Sequence, residues 1–188
     1  MIDQKIRDFM KIYHNVLDTD LCNDTVASLK ESMGWEKHYY YNSVTNENTT
    51  YDDDFSMSWE NIPQKQTVQD KLYSVLEKYI FEDMSYPWFG GWRGYSPVRF
   101  NQYSTNTKMN LHCDHIHSLF PGEVNGIPIL SMVGGLNDDY EGGEFIMWDE
   151  EIKIPPGSVL VFPSNFLYPH LVNPVTEGTR FSYVSWAF

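Results

Sequence analysis

The sequence predicts a mainly β domain with flanking helices, an α+β chain built on a sandwich or jelly roll. Three observations predict it. From Ser96 onward, short apolar runs alternate with Gly, Pro and Asn punctuation, the pattern of consecutive strands and turns. Ahead of them, two stretches repeat apolar residues at helical spacing. No repeat, low-complexity segment or linker separates the two parts. Residues 1–188 therefore read as one domain, with 1–95 as helical support and loop and 96–188 as the β core.

The first helix is expected in "LDTDLCNDTVASLKESMG", capped by Asp18 or Thr19 and stopped at Gly34. Cys22, Val26, Leu29 and Met33 fall on one face of it. The second is expected in "QKQTVQDKLYSVLEKYIFEDM", striped by Val68, Leu72, Val75, Leu76, Tyr79 and Ile80. Between them, "YYYNSVTNENTTYDDDFSMSW" reads as a loop or loose hairpin. Its acids Asp52, Asp53 and Asp54 read as solvated surface, and residues 41–60 as a candidate lid. Strands are expected near 97–104, 109–116, 127–136, 143–149, 157–163, 167–172 and 179–187.

Charge narrows the function classes. The chain carries 26 acidic and 13 basic residues, a net charge of −13, with only four arginines: Arg7, Arg93, Arg99 and Arg180. A phosphate backbone wants a basic face, so this balance argues against nucleic acid as a partner. Two cysteines, Cys22 and Cys113, make neither a disulfide framework nor a C-x-x-C pair. No apolar run approaches the ~20 residues of a membrane span. The N-terminus, "MIDQKIRDFMKIYHNVLD", is too charged for a signal peptide. These features suit a soluble, cytoplasmic protein away from membranes. None of them points to a particular oligomeric state.

The stretch "LHCDHIHSLF" packs His112, Asp114, His115 and His117 into six residues. Strand side chains alternate between faces, so His112 and Asp114 share one, while Cys113 and His115 turn away. His117 has the ligand parity but lies beyond the strand's expected end, where it would line an entrance. His170, in "YPHLV", supplies a further imidazole. Two histidines and one carboxylate form the facial triad of non-haem Fe(II) oxygenases, and zinc accepts the same donors. An H-x-D pair alone also recurs by chance. Ten residues on, Arg180 and Ser182 stand at i and i+2 of a strand, where a planar fork and a hydroxyl can share one carboxylate. Alone, Arg180 reads first as a surface residue on an edge strand. Arg99 and Asn101 share a face with Tyr103. Trp92, Trp148, Trp186 and Tyr168 read as core before platform. The run "NDDYEGGE" reads as a hairpin turning at Gly142 and Gly143, in preference to a Ca²⁺ loop.

Taken in order, these pieces resemble the 2-oxoglutarate- and Fe(II)-dependent oxygenases, on the prolyl 4-hydroxylase-like branch. "VLDTDLCNDTVASLKE" is similar to that branch's opening loop and helix. "RFNQYSTNTKMNLHCDH" is similar to its strand with Tyr (here Tyr103), followed by H-x-D. "GGLNDDYEGGEFIMWD" and "IKIPPGSVLVFPSNFLYPHLVNPVTEGTRFSYVSWAF" follow the branch through its distal His and basic anchor. Three positions depart. Arg180 stands where the prolyl hydroxylases commonly carry Lys, Met109 where a second Tyr is usual, and Asn106 where Gly is.

The resemblance implies a double-stranded β-helix (jelly roll) core preceded by two N-terminal helices. It implies Fe(II) on His112, Asp114 and His170. 2-Oxoglutarate would chelate the iron through its C1 carboxylate and keto oxygen, with its C5 carboxylate on Arg180, Ser182 and Tyr103. O₂ is the oxidant, succinate and CO₂ the coproducts, and ascorbate an accessory reductant. No catalytic residue is implied beyond the iron site. Arg99, Asn101, His117 and Trp148 are candidate substrate contacts. The implied substrate is a peptidyl proline or another residue of a protein. Two alternatives stay open: the same reaction on a small molecule or nucleobase, and a non-catalytic jelly-roll binding module.

Overall fold

The computed structural model describes residues 4–42, 45, 47–114 and 127–188. In chain order the elements are α1 (Gln4–Arg7), β1 (Lys11–Tyr13), α2 (Thr19–Glu31), β2 (Glu36–Lys37), β3 (Tyr40–Asn42), β4 (Glu47–Thr49), β5 (Ser56–Ser58) and α3 (Lys65–Lys78), which runs into a π-helical turn (Tyr79–Met84). Ten strands follow: β6 (Arg99–Tyr103), β7 (Met109–His112), β8 (Leu130–Gly135), β9 (Tyr140–Gly142), β10 (Phe145–Met147), β11 (Glu150–Glu151), β12 (Val159–Pro163), β13 (His170–Val172), β14 (Val175–Gly178) and β15 (Arg180–Ala187).

A seven-stranded sheet runs β1-β12-β8-β15-β6-β5-β2, and a four-stranded sheet runs β11-β10-β13-β7. Strands β9 and β14 form one short ribbon, and β3 and β4 another. All the strand pairings are antiparallel, as hairpin- and corner-connected β layers require.

Helices α2 and α3 cover the outer face of the large sheet. Leu29, Val68, Leu72 and Leu76 pack there against Val159, Val161, Phe181 and Tyr183, all nearly or fully buried. Each such side chain contributes about 1.5–3 kcal/mol by leaving water. The opposite parity of the same strands faces between the sheets: Leu160, Phe162, Val184 and Trp186 join Phe55, Tyr103, Phe145 and Met147. Strand β15 is thus buried at all eight positions.

The structure departs from the sequence expectations in five places. The N-terminal segment supplies β1, β2 and β5 to the large sheet, so it is more than helical support. The first of its longer helices starts on Asp18, whose side chain accepts from Leu21 N at 2.8 Å, and it ends at Glu31. Met33 therefore falls outside the helix and is 93% exposed. Asp54 is buried and accepts the Tyr51 amide, while Asp53 pairs with Lys108 at 2.6 Å. Gly142 and Gly143 do not turn a hairpin: β9 pairs with β14, and the two glycines, both at positive φ, hand the chain to the small sheet. Residues 56–58 of the candidate lid are a strand of the large sheet, held by β6.

Candidate active site

The cleft lies between the two sheets. The small sheet brings two histidines together directly: His170, first residue of β13, is the register partner of His112, last residue of β7. Their rings lie 4.3 Å apart. Asp114 sits at a bend two residues past β7, so strand parity does not place it. The chain instead turns it back, with its Oδ1 3.3 Å from His112 Nε2. Ligand atoms of His112, Asp114 and His170 all lie within 4.8 Å of one another.

The surrounding hydrogen bonds fit a metal. His112 Nδ1 faces the Asn110 carbonyl at 2.8 Å, and His170 Nδ1 faces the Tyr168 carbonyl at 3.1 Å. A carbonyl only accepts, so each Nδ1 carries the proton and each Nε2 keeps a lone pair for a cation. Burial, with His112 alongside, pushes the His170 pKa down to about 4, so its imidazole is neutral at pH 7. The Asp114 carboxyl is pushed up by burial. Even so, His112, His170 and the Ser131 hydroxyl beside it hold it well below the usual carboxylate range. Its outer oxygen, Oδ2, accepts from Ser131 Oγ at 2.5 Å and Trp186 Nε1 at 2.9 Å. That leaves Oδ1 to face the histidines. Two imidazole Nε2 atoms and one carboxylate oxygen on one side of a cleft suit a divalent first-row metal with open positions.

The large sheet lines the other side. Tyr103, Asn101 and Arg99 on β6 lie opposite Arg180, Ser182 and Val184 on β15. All six line the same pocket as His112, Asp114 and His170. Arg180 is 4% exposed, donates to Ser182 Oγ at 3.1 Å and stands 5.0 Å from the Tyr103 ring centre. Burial pushes the Tyr103 phenol up, against the pull of Arg180 and Arg99, so it stays protonated. Gly143 makes room for the anchor: a Cβ there would meet Val175 at 2.9 Å and Arg180 Cδ at 3.1 Å.

Trp148 does not line this pocket. It sits in a left-handed turn (φ 56), donates to the Leu167 carbonyl and stacks under Arg7, so it closes the N-terminal helix onto the barrel end. His115 and His117 lie outside the described residues. Sequence reading missed Ser131, which carried no signal, and Phe55, stacked 4.6 Å from Tyr103. It undervalued Trp186, whose even position on β15 matches that of Arg180 and Ser182. At Met109, where a second Tyr is usual in the resembled branch, a tyrosine hydroxyl arrives from elsewhere: Tyr40 reaches its sulfur at 3.4 Å. Asn106 adopts φ 69 in the usual Gly position, a conformation Asn tolerates.

Comparisons with known proteins agree with this geometry. Residues 98–188 match the family model of the 2OG-Fe(II) oxygenase superfamily. That match takes in just under half of the chain, the half that carries strands β6 to β15. The chain is also 38% identical over 98 residues to a PKHD-type hydroxylase of Stenotrophomonas maltophilia, covering 49% of this chain and 43% of that one. It is 34% identical over 97 residues to a PKHD-type hydroxylase of Delftia acidovorans, covering 48% and 42%. The chain thus spans less than half the length of these curated relatives. In fold it is similar to a prolyl hydroxylase from Trichoplax adhaerens, solved with a hypoxia inducible factor peptide (TM-score 0.74, 15% identity, 96% of this chain and 84% of that one). It is likewise similar to a Pseudomonas putida prolyl-4-hydroxylase (TM-score 0.66, 18% identity, 95% and 92%). Among the described residues, no helix is long and apolar enough to cross a membrane.

Proposed function

We propose that this protein is a 2-oxoglutarate- and Fe(II)-dependent hydroxylase acting on a peptidyl proline or another residue of a protein. One observation carries the reading. The His112, Asp114 and His170 ligand atoms converge in the same pocket as a buried arginine, a serine and a protonated tyrosine. A metal site alone would not need Arg180. A chelating keto dicarboxylate needs both.

Each residue has a part that follows from its surroundings. His112, His170 and Asp114 would hold Fe(II), with Ser131 and Trp186 fixing the outer oxygen of Asp114. Arg180 would form a paired salt bridge with the far carboxylate of 2-oxoglutarate, and the Ser182 and Tyr103 hydroxyls would add donors. Phe55, Met109, Phe145 and Val172 wall the cleft with apolar surface, which keeps water from the reacting centre. Bound Fe(II), 2-oxoglutarate and O₂ would supply the oxidising power for hydroxylation, with succinate and CO₂ as coproducts. Ascorbate would serve as accessory reductant.

The peptide substrate rests on the prolyl hydroxylase likeness. Residues 1–95 and 96–188 read as one domain because strands from both enter one sheet. A cytoplasmic setting suits a chain whose two cysteines are in no disulfide. The test incubates wild type and His112→Ala with Fe(II), 2-oxoglutarate and proline-containing peptides, and measures succinate and hydroxylated peptide. Succinate is expected from wild type alone. Wild-type succinate at background would overturn the reading.

A further inference from the structure

The cleft holds two arginines, and the proposed function uses one. Arg99 enters it opposite Val184, while Arg180 lies opposite Tyr103. Arg99 Nε donates to Asn101 Oδ1 at 3.0 Å, and one of its terminal nitrogens approaches only the Met57 sulfur, at 3.9 Å. Its guanidinium lies against two aromatic rings, 4.9 Å from the Trp186 centre and 5.7 Å from the Phe55 centre. Among the described residues, no carboxylate forms an ion pair with it. Arg99 is half-buried; a guanidinium cannot shed its proton inside a protein, so among the described residues its charge is met at contact distance by an amide oxygen and ring faces, with Asp114 farther off.

Charge counting makes this cation a surplus. The two positive charges of Fe(II) and the one of Arg180 match the one negative charge of Asp114 and the two of 2-oxoglutarate. An imidazole that donates its lone pair to a metal adds no charge, and burial keeps Tyr103 protonated. Arg99 therefore leaves the loaded cleft one positive charge in excess, and an unpaired charge half-removed from water favours an anionic partner. Its place is also close to the chemistry: the indole it rests on donates to Asp114 at 2.9 Å. An anion on Arg99 would stand one indole ring from the metal ligands.

We propose that Arg99 is the carboxylate receptor for the primary substrate, which carries a single negative charge close to the carbon that is hydroxylated. The inference rests on the oxygenase reading and sharpens its substrate class. The carboxylate belongs either to a free amino or imino acid or to an acidic side chain beside the target residue. Planar bidentate recognition suits both, and Arg99 keeps donors unused by Asn101.

The experiment uses wild type, Arg99→Met, Arg99→Lys and Arg180→Met, each with Fe(II) and 2-oxoglutarate and without O₂. Calorimetry reads two matched probe pairs: N-acetyl-L-proline against N-acetyl-L-prolinamide, and the blocked dipeptide Ac-Pro-Asp-NH₂ against Ac-Pro-Asn-NH₂. The absorbance of the iron–keto-acid complex separately reads 2-oxoglutarate binding. Wild type is expected to favour the acid of one pair by about tenfold or more. Arg99→Met should erase that preference, Arg99→Lys should keep part of it, and both should bind 2-oxoglutarate as wild type does. The pair that shows the preference names the source of the carboxylate. Equal binding of acid and amide in both pairs, or binding of none, overturns the proposal. So does a preference that survives in Arg99→Met. A loss of 2-oxoglutarate binding in Arg99→Met equal to that in Arg180→Met would assign Arg99 to the co-substrate instead. Absence of the absorbance complex in wild type would defeat the oxygenase reading itself, a result distinct from all of these.

Discussion

Along β15, Phe181 and Tyr183 point to the helices, while Arg180, Ser182, Val184 and Trp186 point between the sheets. Both faces are buried, yet they are built by opposite rules. The helix-backed face is mainly apolar: Phe181 and Tyr183 are at most 2% exposed, packed among aliphatic side chains. The inner side keeps a guanidinium beside the Ser182 hydroxyl, the Tyr103 phenol across from it and a carboxylate whose second oxygen is taken by Ser131 and Trp186. One face makes the sheet stable. The other carries polar groups that the fold tolerates because its neighbour offsets their burial, and it awaits ligands to pair them.

Four substitutions test that division, in descending order of effect. Asp114→Ala should weaken Fe(II) binding by a hundredfold or more, measured by calorimetry, since it removes the only anionic ligand; about 10–100-fold is already typical for losing a supporting partner. Its urea midpoint without metal should fall less than that of Phe181→Ala, because it loses the hydrogen bonds from Ser131 and Trp186 but leaves the packed core intact. Phe181→Ala, one residue from the anchor but on the other face, should cost about 3–5 kcal/mol in urea unfolding. Its Fe(II) affinity at low temperature should stay near wild type. Were Asp114→Ala to unfold the protein, or Phe181→Ala to abolish metal binding, the two faces would not be separable. Trp186→Phe and Ser131→Ala should each lower Fe(II) affinity about 10–100-fold with little loss of stability, because each frees Oδ2 of Asp114.

The smallest effect concerns pH. His38 lies behind the cleft, stacked 4.5 Å from Phe55, with its Nδ1 buried and unbonded among the described residues. Burial, with Arg99 nearby, pushes its pKa down to about 2. The unfolded chain takes up this proton near pH 6.5, whereas the folded one resists it, so stability falls as pH drops below about 6.5. His38→Phe should remove that share of the acid sensitivity, at most about 1.4 kcal/mol per pH unit. Urea midpoints between about pH 7 and about pH 4.5 check it; parallel slopes for the two proteins would count against a neutral buried His38.

What could be read from sequence was local. Pairs two residues apart on one strand, such as Arg180 and Ser182, announce themselves through alternation. His112 and Asp114 carried the same signal, although the strand ends between them and a turn completes the approach. The joining of Arg99, Asn101 and Tyr103 to that set depends on the register between β6 and β15, which no local pattern encodes. Strands β1, β2 and β5 are two or three residues long and largely polar, and they form only because a sheet edge is already there to receive them. Met33 obeyed the helical period but came after the helix had stopped, and Asp54 looked like its acidic neighbours until folding buried it.

The rung between β7 and β13 has one further consequence. His112 and His170 stand far apart in the chain but opposite one another in the ladder, so a metal held by both would act as a cross-strand staple. The two strands overlap over only a few residues, with a register shift between His170 and Val172. A ligand that binds the paired state and not the open one stabilises it by mass action. Amide exchange in β7 and β13 should therefore slow on adding Fe(II) while α2 and α3 exchange as before. In that sense iron supply is also a local folding condition: starvation for the metal would first loosen the small sheet, leaving the helix-backed sheet closed.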